Sequence, residues 1–241
     1  MWLLSTAASA QSEGALSIGA EAEKKLSRQA SVSVEGDFRS RNDFKTADRW
    51  SLSAGASYKL GKNLKAAAAY QLIWRNNRES LSYNTTDGAV TGYNNWRPSY
   101  WGVNHRLSAS LTGSHKVHDI RFSLRERWQY TYRPSKDVER WDFDNAKWET
   151  KTRSGKGKNV LRSRLQAEYS KKKARLLPFA SIEAYNSWAV DKVRYTIGTD
   201  YKLNKQHSLS LYYRFQDAMS DDDLDYDPNI HLVGLSYTIK L

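Results

Sequence analysis

The sequence predicts an all-β chain, a transmembrane antiparallel up-and-down β-barrel of 10–12 strands with short periplasmic turns and long extracellular loops. Three observations carry that prediction. Residues 50–60, "WSLSAGASYKL", place Trp50, Leu52, Ala54, Ala56, Tyr58 and Leu60 on one parity and Ser51, Ser53, Gly55, Ser57 and Lys59 on the other. A strand sends successive side chains to opposite faces, so this stretch has one apolar and one polar face. The connections between such stretches then alternate between short and long. Finally, Tyr (15) and Trp (9) outnumber Phe (6) and gather near strand ends, where a ring with a polar handle suits a wet–dry boundary.

Taken in chain order, the first two strands, 15–24 and 27–39, flank a short turn at "EKKLS" (23–27). The third is 48–60. In the fourth, 64–75, Leu64, Ala66, Ala68, Tyr70, Leu72 and Trp74 oppose Lys65 and Gln71. The fifth, 104–114, alternates Leu107, Ala109 and Leu111 with Arg106, Ser108, Ser110 and Thr112. In the sixth, 118–132, Ile120, Phe122, Leu124, Trp128, Tyr130 and Tyr132 face away from Arg121, Arg125, Arg127 and Gln129. The seventh, 159–171, opposes Leu161, Leu165, Ala167 and Tyr169 to Arg162, Arg164, Gln166 and Glu168. The eighth, 175–186, is weakly patterned and carries Pro178, a residue central strands avoid. The ninth and tenth, 192–203 and 207–216, and the eleventh, 230–241, alternate again through Tyr195, Tyr201, Tyr213 and Tyr237. Helical spacing explains none of these rows.

Short turns fall at 23–27, 60–64, 114–119, 170–175 and 203–207, and longer polar segments at 40–48, 75–102, 133–158 and 217–229, with a medium one at 186–191. Sorting by rim is the habit of outer-membrane barrels. About ten residues at roughly 3.3 Å each, tilted about 45°, span roughly 23 Å, close to the apolar band of such barrels. The apolar parity is then assigned to lipid and the polar parity to a lumen. Slipping the 118–132 strand by one residue would turn three arginines into lipid, at about 2–4 kcal/mol each near the midplane. Glu126 is the exception, on the lipid parity, and reads as a residue beyond the band, a bulge or a misplaced register. Eleven strands leave the closure open, because single-chain bacterial barrels normally hold an even number.

The net charge of +12, pI of 9.7 and mean hydropathy of −0.76 suit a soluble basic protein at first sight. Luminal polar residues lower that average in any membrane barrel, so the value excludes nothing of the kind. There is no run of 18 apolar residues for a membrane helix and no Cys for a disulfide or a thiol nucleophile. "MWLLSTAASAQ" ends in an Ala8-Ser9-Ala10 cleavage pattern, so residues 1–10 read as the remainder of an export signal and 11–241 as one barrel domain.

The segments "VRYTIGTDYKLNKQHSLSLYYRFQ" (193–216), "LPFASIEAYN" (177–186), "HLVGLSYTIKL" (231–241), "LRSRLQAEYS" (161–170) and the hairpin around Lys24-Lys25 resemble a domain-of-unknown-function family. Its members are small outer-membrane β-barrels of Bacteroidetes-type bacteria. The resemblance implies location and fold but no reaction, so no catalytic residue is carried over. The last strand resembles a barrel-assembly signal, with Tyr237 fifth from the end, although Leu241 stands where a terminal aromatic is usual.

The candidate site is the lumen. Arg106, Arg121, Arg125, Arg127, Arg162, Arg164, Arg194 and Arg214, with Glu168, Glu183 and Asp200 opposing them, form either a salt-bridged filling or an anion path. Trp50, Tyr58, Tyr70, Trp74, Trp128, Tyr130, Tyr169, Tyr195, Tyr201, Tyr213 and Tyr237 are assigned to the lipid interface. The five His form no Ser-His-Asp set and no H-E-x-x-H pair, so no enzyme is expected. No metal site and no cofactor are expected: Asp221, Asp223 and Asp225 of "SDDDLDYD" lack the Gly and distal Glu of a calcium loop. Trp96, Trp101, Trp141 and Trp148, among Arg and Lys, read as ordered outer-loop hairpins or a girdle rather than a nucleic-acid surface.

The expected role is structural or interaction-based in the outer membrane of a Gram-negative cell. Its partners would be membrane lipid and lipopolysaccharide, and the assembly machinery that reads the last strand. The alternatives are a narrow passive channel for small anionic solutes and a soluble basic β-protein that binds acidic partners.

Overall fold

The computed structural model describes residues 12–219 and 228–241. The described residues form fifteen strands and no helix: β1 (Glu13–Lys25), β2 (Ala30–Arg41), β3 (Thr46–Lys59), β4 (Leu64–Asn77), β5 (Ser80–Thr86), β6 (Ala89–Arg97), β7 (Tyr100–Val117), β8 (Ile120–Arg133), β9 (Lys136–Asp142), β10 (Lys147–Arg153), β11 (Lys156–Tyr169), β12 (Leu176–Asn186), β13 (Val190–Lys202), β14 (His207–Ala218) and β15 (Ile230–Lys240). Eleven of them close a barrel in the order β1-β15-β14-β13-β12-β11-β8-β7-β4-β3-β2. The other four make a separate sheet, β10-β9-β6-β5, from the two longest connections.

The expectation of an even strand number is overturned. Every neighbouring pair is antiparallel except the closing one, where β1 and β15 run parallel from Glu13↔Ile230 to Glu23↔Lys240. A meander with an odd number of strands has its first and last strands pointing the same way, so closure must be parallel. β1 therefore begins at the long-loop rim. There the Gly14 N–H donates to Asp43 Oδ1 at 2.9 Å and Glu13 pairs with Arg78 at 2.6 Å.

Of the expected loops, one is shorter than the sequence implied and two are ordered hairpins. The segment 40–48 shrinks to a four-residue turn, 42–45, with Asn42, Asp43 and Phe44 at positive φ. Asn and Asp tolerate that region better than most residues. The segments 75–102 and 133–158 are hairpins, the first turning on Asp87 and Gly88, both at positive φ. Pro178 is tolerated because it lies one residue beyond the last β11–β12 pair, Glu168↔Phe179.

The parity assignment holds along the barrel: the apolar rows point outward and the charged rows inward. Glu126 also points outward, with unbroken register on both sides, opposite Leu111 and Ser163. No bulge excuses it. Its carboxylate accepts a hydrogen bond from Ser163 Oγ at 2.6 Å, so two polar groups satisfy each other on the outward face. Two inward glycines have a reason of close approach. A Cβ on Gly234 would lie 2.1 Å from the Tyr212 ring, and one on Gly198 would meet Tyr212 and Phe179 below 3.0 Å.

Candidate functional site

The lumen divides into two halves. On the long-loop side the inward residues are buried, among them Arg39, Asp48, Ile73, Gln129, Glu183, Tyr185 and Gln216. On the short-turn side they are small and half-exposed: Ser31, Ser33, Ser53, Gly55 and Ser57. Three cavities occupy that second half, of about 400, 340 and 840 Å³, the largest at the short-turn mouth.

Cross-strand register builds the level between the halves. One row runs Arg125 (β8), Arg164 (β11), Glu183 (β12), Arg194 (β13), and the next Arg127, Arg162, Tyr185, Lys192. Glu183 accepts from Arg125 and Arg162, each at 3.0 Å, and from the Tyr185 hydroxyl at 3.2 Å. The Tyr185 ring lies under three cations: Arg162 and Arg194 at 4.5 and 4.6 Å and Lys192 at 5.0 Å from its centroid. Arg194 donates to Tyr185 and to Gln216, and Arg162 also reaches Gln129 at 3.0 Å. This is a cross-linked filling, as buried charge requires.

The remaining expected luminal residues are placed differently. Arg106 donates to Thr131 at 3.0 Å, and Arg214 to Thr196 at 3.2 Å while stacking 4.9 Å over Tyr212. Arg121, Glu168 and Asp200 line the mouth cavity, and Asp200 also lines the 340 Å³ cavity beside Glu183 and Arg164. Arg127 and Arg164 point into the lumen, and the Nε atom of each is buried without an acceptor.

Several residues of the site were missing from the sequence reading. Asp48 is the extra residue of a bulge between Arg39↔Arg49 and Ser40↔Ala47. The bulge re-aims its side chain inward, where its carboxylate meets Arg39 at 2.5 Å and Arg41 at 3.6 Å. An acidic wall of Glu21, Glu23, Glu35 and Asp37 on β1 and β2 shares the two smaller cavities with the Arg wall. Their alternation was visible in the sequence; that they face the arginines across a lumen was not.

The interface aromatics all lie on the outward face, exposed or half-exposed. Three of the five histidines serve them. Tyr70 bonds His105 at 2.7 Å, Tyr213 bonds His231 at 2.6 Å, and Tyr237 bonds His207. Among the described residues no group of His, Cys, Asp or Glu could hold a metal. Asp221, Asp223 and Asp225, and the proposed export signal, lie outside the described residues.

The four-stranded sheet gathers three of the four loop tryptophans. Leu81, Trp96, Trp141 and Trp148 are successive cross-strand partners. Trp148 lies 5.8 Å from Trp96 and 5.6 Å from Trp141, ring to ring. Tyr83, Tyr93 and Phe143 make a second chain at 5.6 and 5.4 Å. Trp148 and Tyr93 remain 53% and 55% exposed. Trp101 does not join them; it is the second residue of β7, where its carbonyl accepts from Lys136. At the β9–β10 turn, the Asn145 amide and the N–H groups of Asn145 and Asp144 hold the Asp142 carboxyl below its usual range.

A family model described as a protein of unknown function, DUF2490, matches residues 18–225. No curated protein matches the chain. Among solved structures, the chain is similar to the β domain of the Bordetella autotransporter BrkA, at 13% identity and a TM-score of 0.50, over 86% of this chain and 78% of that one. It is also similar to the translocator domain of the autotransporter NalP from Neisseria meningitidis, at 12% identity and 0.48, over 81% and 71%. A third is the CymD monoaromatic hydrocarbon channel, at 9% identity and 0.41, over 85% and 82%. The first likeness supports the closed-barrel fold and nothing finer.

Proposed function

We propose, from the premise that the chain belongs to the DUF2490 family of proteins of unknown function, that it is an outer-membrane β-barrel with a closed lumen and a structural or interaction role. The short turns face the periplasm and the four-stranded sheet stands outside the cell. The outward apolar rows and their Tyr–His pairs meet lipid and lipopolysaccharide, and β15 is the strand offered to the assembly machinery. The exposed aromatic face of the outer sheet is the surface that contacts partners, since monomeric proteins rarely leave a large apolar patch uncovered without use.

One observation carries the closed lumen: the Glu183–Tyr185 cluster cross-links the inward side chains of β8, β11, β12, β13 and β14, and the inward residues between it and the long-loop rim are buried. A passive anion channel would need a path through side chains that are cross-linked by ion pairs and hydrogen bonds. No reaction is assigned, because three histidines are spent on tyrosines. Planar-bilayer recordings of the purified chain test the reading. Silence at all voltages is the expected result. Steady conductance whose ion selectivity changes with Arg125→Glu or Arg162→Glu would replace it with the channel. Recovery in salt-washed buffer without detergent would remove the membrane location altogether.

A further inference from the structure

Two Arg-x-Arg pairs, Arg125/Arg127 on β8 and Arg162/Arg164 on β11, lie in register, so Arg127 stands opposite Arg162 and Arg125 opposite Arg164. Like charges directly opposite on neighbouring strands repel. Glu183 answers Arg125 and Arg162 through its two oxygens, and its capacity is then shared further with Tyr185. Arg164 is the direct ladder partner of Glu183 and yet makes no ion pair with it among the described residues. Arg127 likewise makes no ion pair among the described residues, although Glu35 on the facing wall lies within electrostatic reach. Both arginines face the open half of the lumen: Arg127 lines the 400 Å³ cavity and Arg164 the 340 Å³ one, and the two cavities meet at Glu35.

Arg125 has the same orphaned Nε but is answered by Glu183. What sets Arg127 and Arg164 apart is a cavity-facing guanidinium with no ion pair among the described residues, which is costly unless something supplies an acceptor. We infer that Arg127 and Arg164 bind an oxyanion, the phosphoryl group of inorganic phosphate or of a small phosphate ester that enters through the short-turn mouth. Guanidinium forks match phosphoryl oxygens bidentately, and a few hundred Å³ holds a small solute. The mouth favours such a visitor, being lined by Lys172, Lys173, Arg175, Lys202, Lys205 and Lys240. Carboxylates share both cavities, Glu21, Glu23 and Glu35 in the larger and Glu35, Asp37, Glu183 and Asp200 in the smaller, and they select against a second anionic end and for a neutral or cationic remainder. The lumen is then a cup that holds a periplasmic solute rather than a pore that passes it.

This inference deepens the closed-lumen reading but is measured without a bilayer, so the two can fail separately. If the lumen conducted, phosphate would still bind and would block current. The test uses the full chain in detergent, with inorganic phosphate against chloride at matched ionic strength, read by the thermal midpoint and by calorimetric titration. Wild type is expected to gain a saturable rise in midpoint. Arg127→Gln and Arg164→Gln are each expected to weaken phosphate binding at least tenfold. Without phosphate, their midpoint should be equal to wild type or higher, because a repelling charge has gone. A wild-type midpoint indifferent to phosphate would overturn the site. So would variants that lose stability without phosphate, since the guanidiniums would then be structural members of the filling.

Discussion

The two halves of the lumen are built by the same strands and differ only in what those strands point inward. Along β3, Ser51 is buried whereas Ser53, Gly55 and Ser57 are half-exposed; along β8, Gln129 is buried whereas Arg127 is half-exposed. Toward the long-loop rim the inward side chains are mostly long and mutually bonded; toward the short turns β2, β3 and β4 point Ser, Ala and Gly inward, and the charged residues there stand around cavities. A barrel backbone of fixed strand number sets the diameter, and side-chain length then decides whether a section is solid or hollow. The halves also differ in how charge is answered. In the filled half the carboxylates Asp48 and Glu183 sit in direct contact with arginines. In the hollow half Glu21 and Glu35 face arginines across a solvated gap.

The largest expected effect follows from that last difference. Glu183→Gln keeps the shape of the side chain and removes the charge that Arg125 and Arg162 share. Breaking a buried pair by neutralising one partner costs about 3–5 kcal/mol. Denaturant unfolding in detergent should register a loss of that order. The matching change in the hollow half, Glu21→Gln, should stay within about 0.5 kcal/mol, because water already screens it. Equal losses from the two variants would mean that the hollow half is not solvated.

A middle-sized effect probes packing rather than charge. Gly234→Ala would put a methyl 2.1 Å from the Tyr212 ring, which Gly234 and Gly198 together accommodate. Overpacking of this kind costs about 1–3 kcal/mol. Tyr212→Leu should recover most of the loss in the double variant, since the clash disappears with the ring. If Gly234→Ala is tolerated alone, the ring is not held flat against the wall.

The barrel was readable in the sequence because a period of two survives in every strand that has one apolar and one polar side. Where that period is broken, the reading stopped. β5 and β6 carry irregular register at Ser82/Tyr83 and Asn84/Thr85 and are rich in Asn, Thr and Gly, so the loop tryptophans pointed to a hairpin there while its strands stayed unread. Asp48 was hidden by its bulge, which turns an outward position inward. Parity named eight inward arginines but not Arg39, which lies buried against Asp48. Which of the eight lack an ion-pair partner depends on register between distant strands such as β8 and β11, and no local pattern encodes that. Eleven strands imply a parallel closure of β1 on β15, and the sequence reading set that closure aside only because single-chain bacterial barrels normally hold an even number. Glu126 was correctly seen as an exception, and its answer, Ser163, lies on another strand.

The smallest effect reverses the sign of the glycine argument. Gly55 points into the hollow half of the wall, and a Cβ there would lie 3.2 Å from Ala69 Cβ and 3.3 Å from the Ala68 carbonyl oxygen. Those contacts are tight but not prohibitive, and the adjoining cavity lets the strand give by a few tenths of an ångström. Against that small strain, alanine removes backbone freedom from the unfolded chain, a gain of about 0.4–1 kcal/mol where the native φ suits it. Gly55 does not have a positive φ, so it does suit it. Gly55→Ala should therefore be neutral or stabilising by up to about 0.5 kcal/mol, against the clear loss at Gly234. Both residues are inward glycines of the same barrel, so the contrast rests on the neighbour alone: a ring at 2.1 Å in one case, and tight contacts at 3.2 and 3.3 Å beside a cavity in the other. A loss above about 1 kcal/mol at Gly55 would mean that the wall is as rigid beside the cavities as it is beside the filling, and the division of the lumen would not extend to its mechanics.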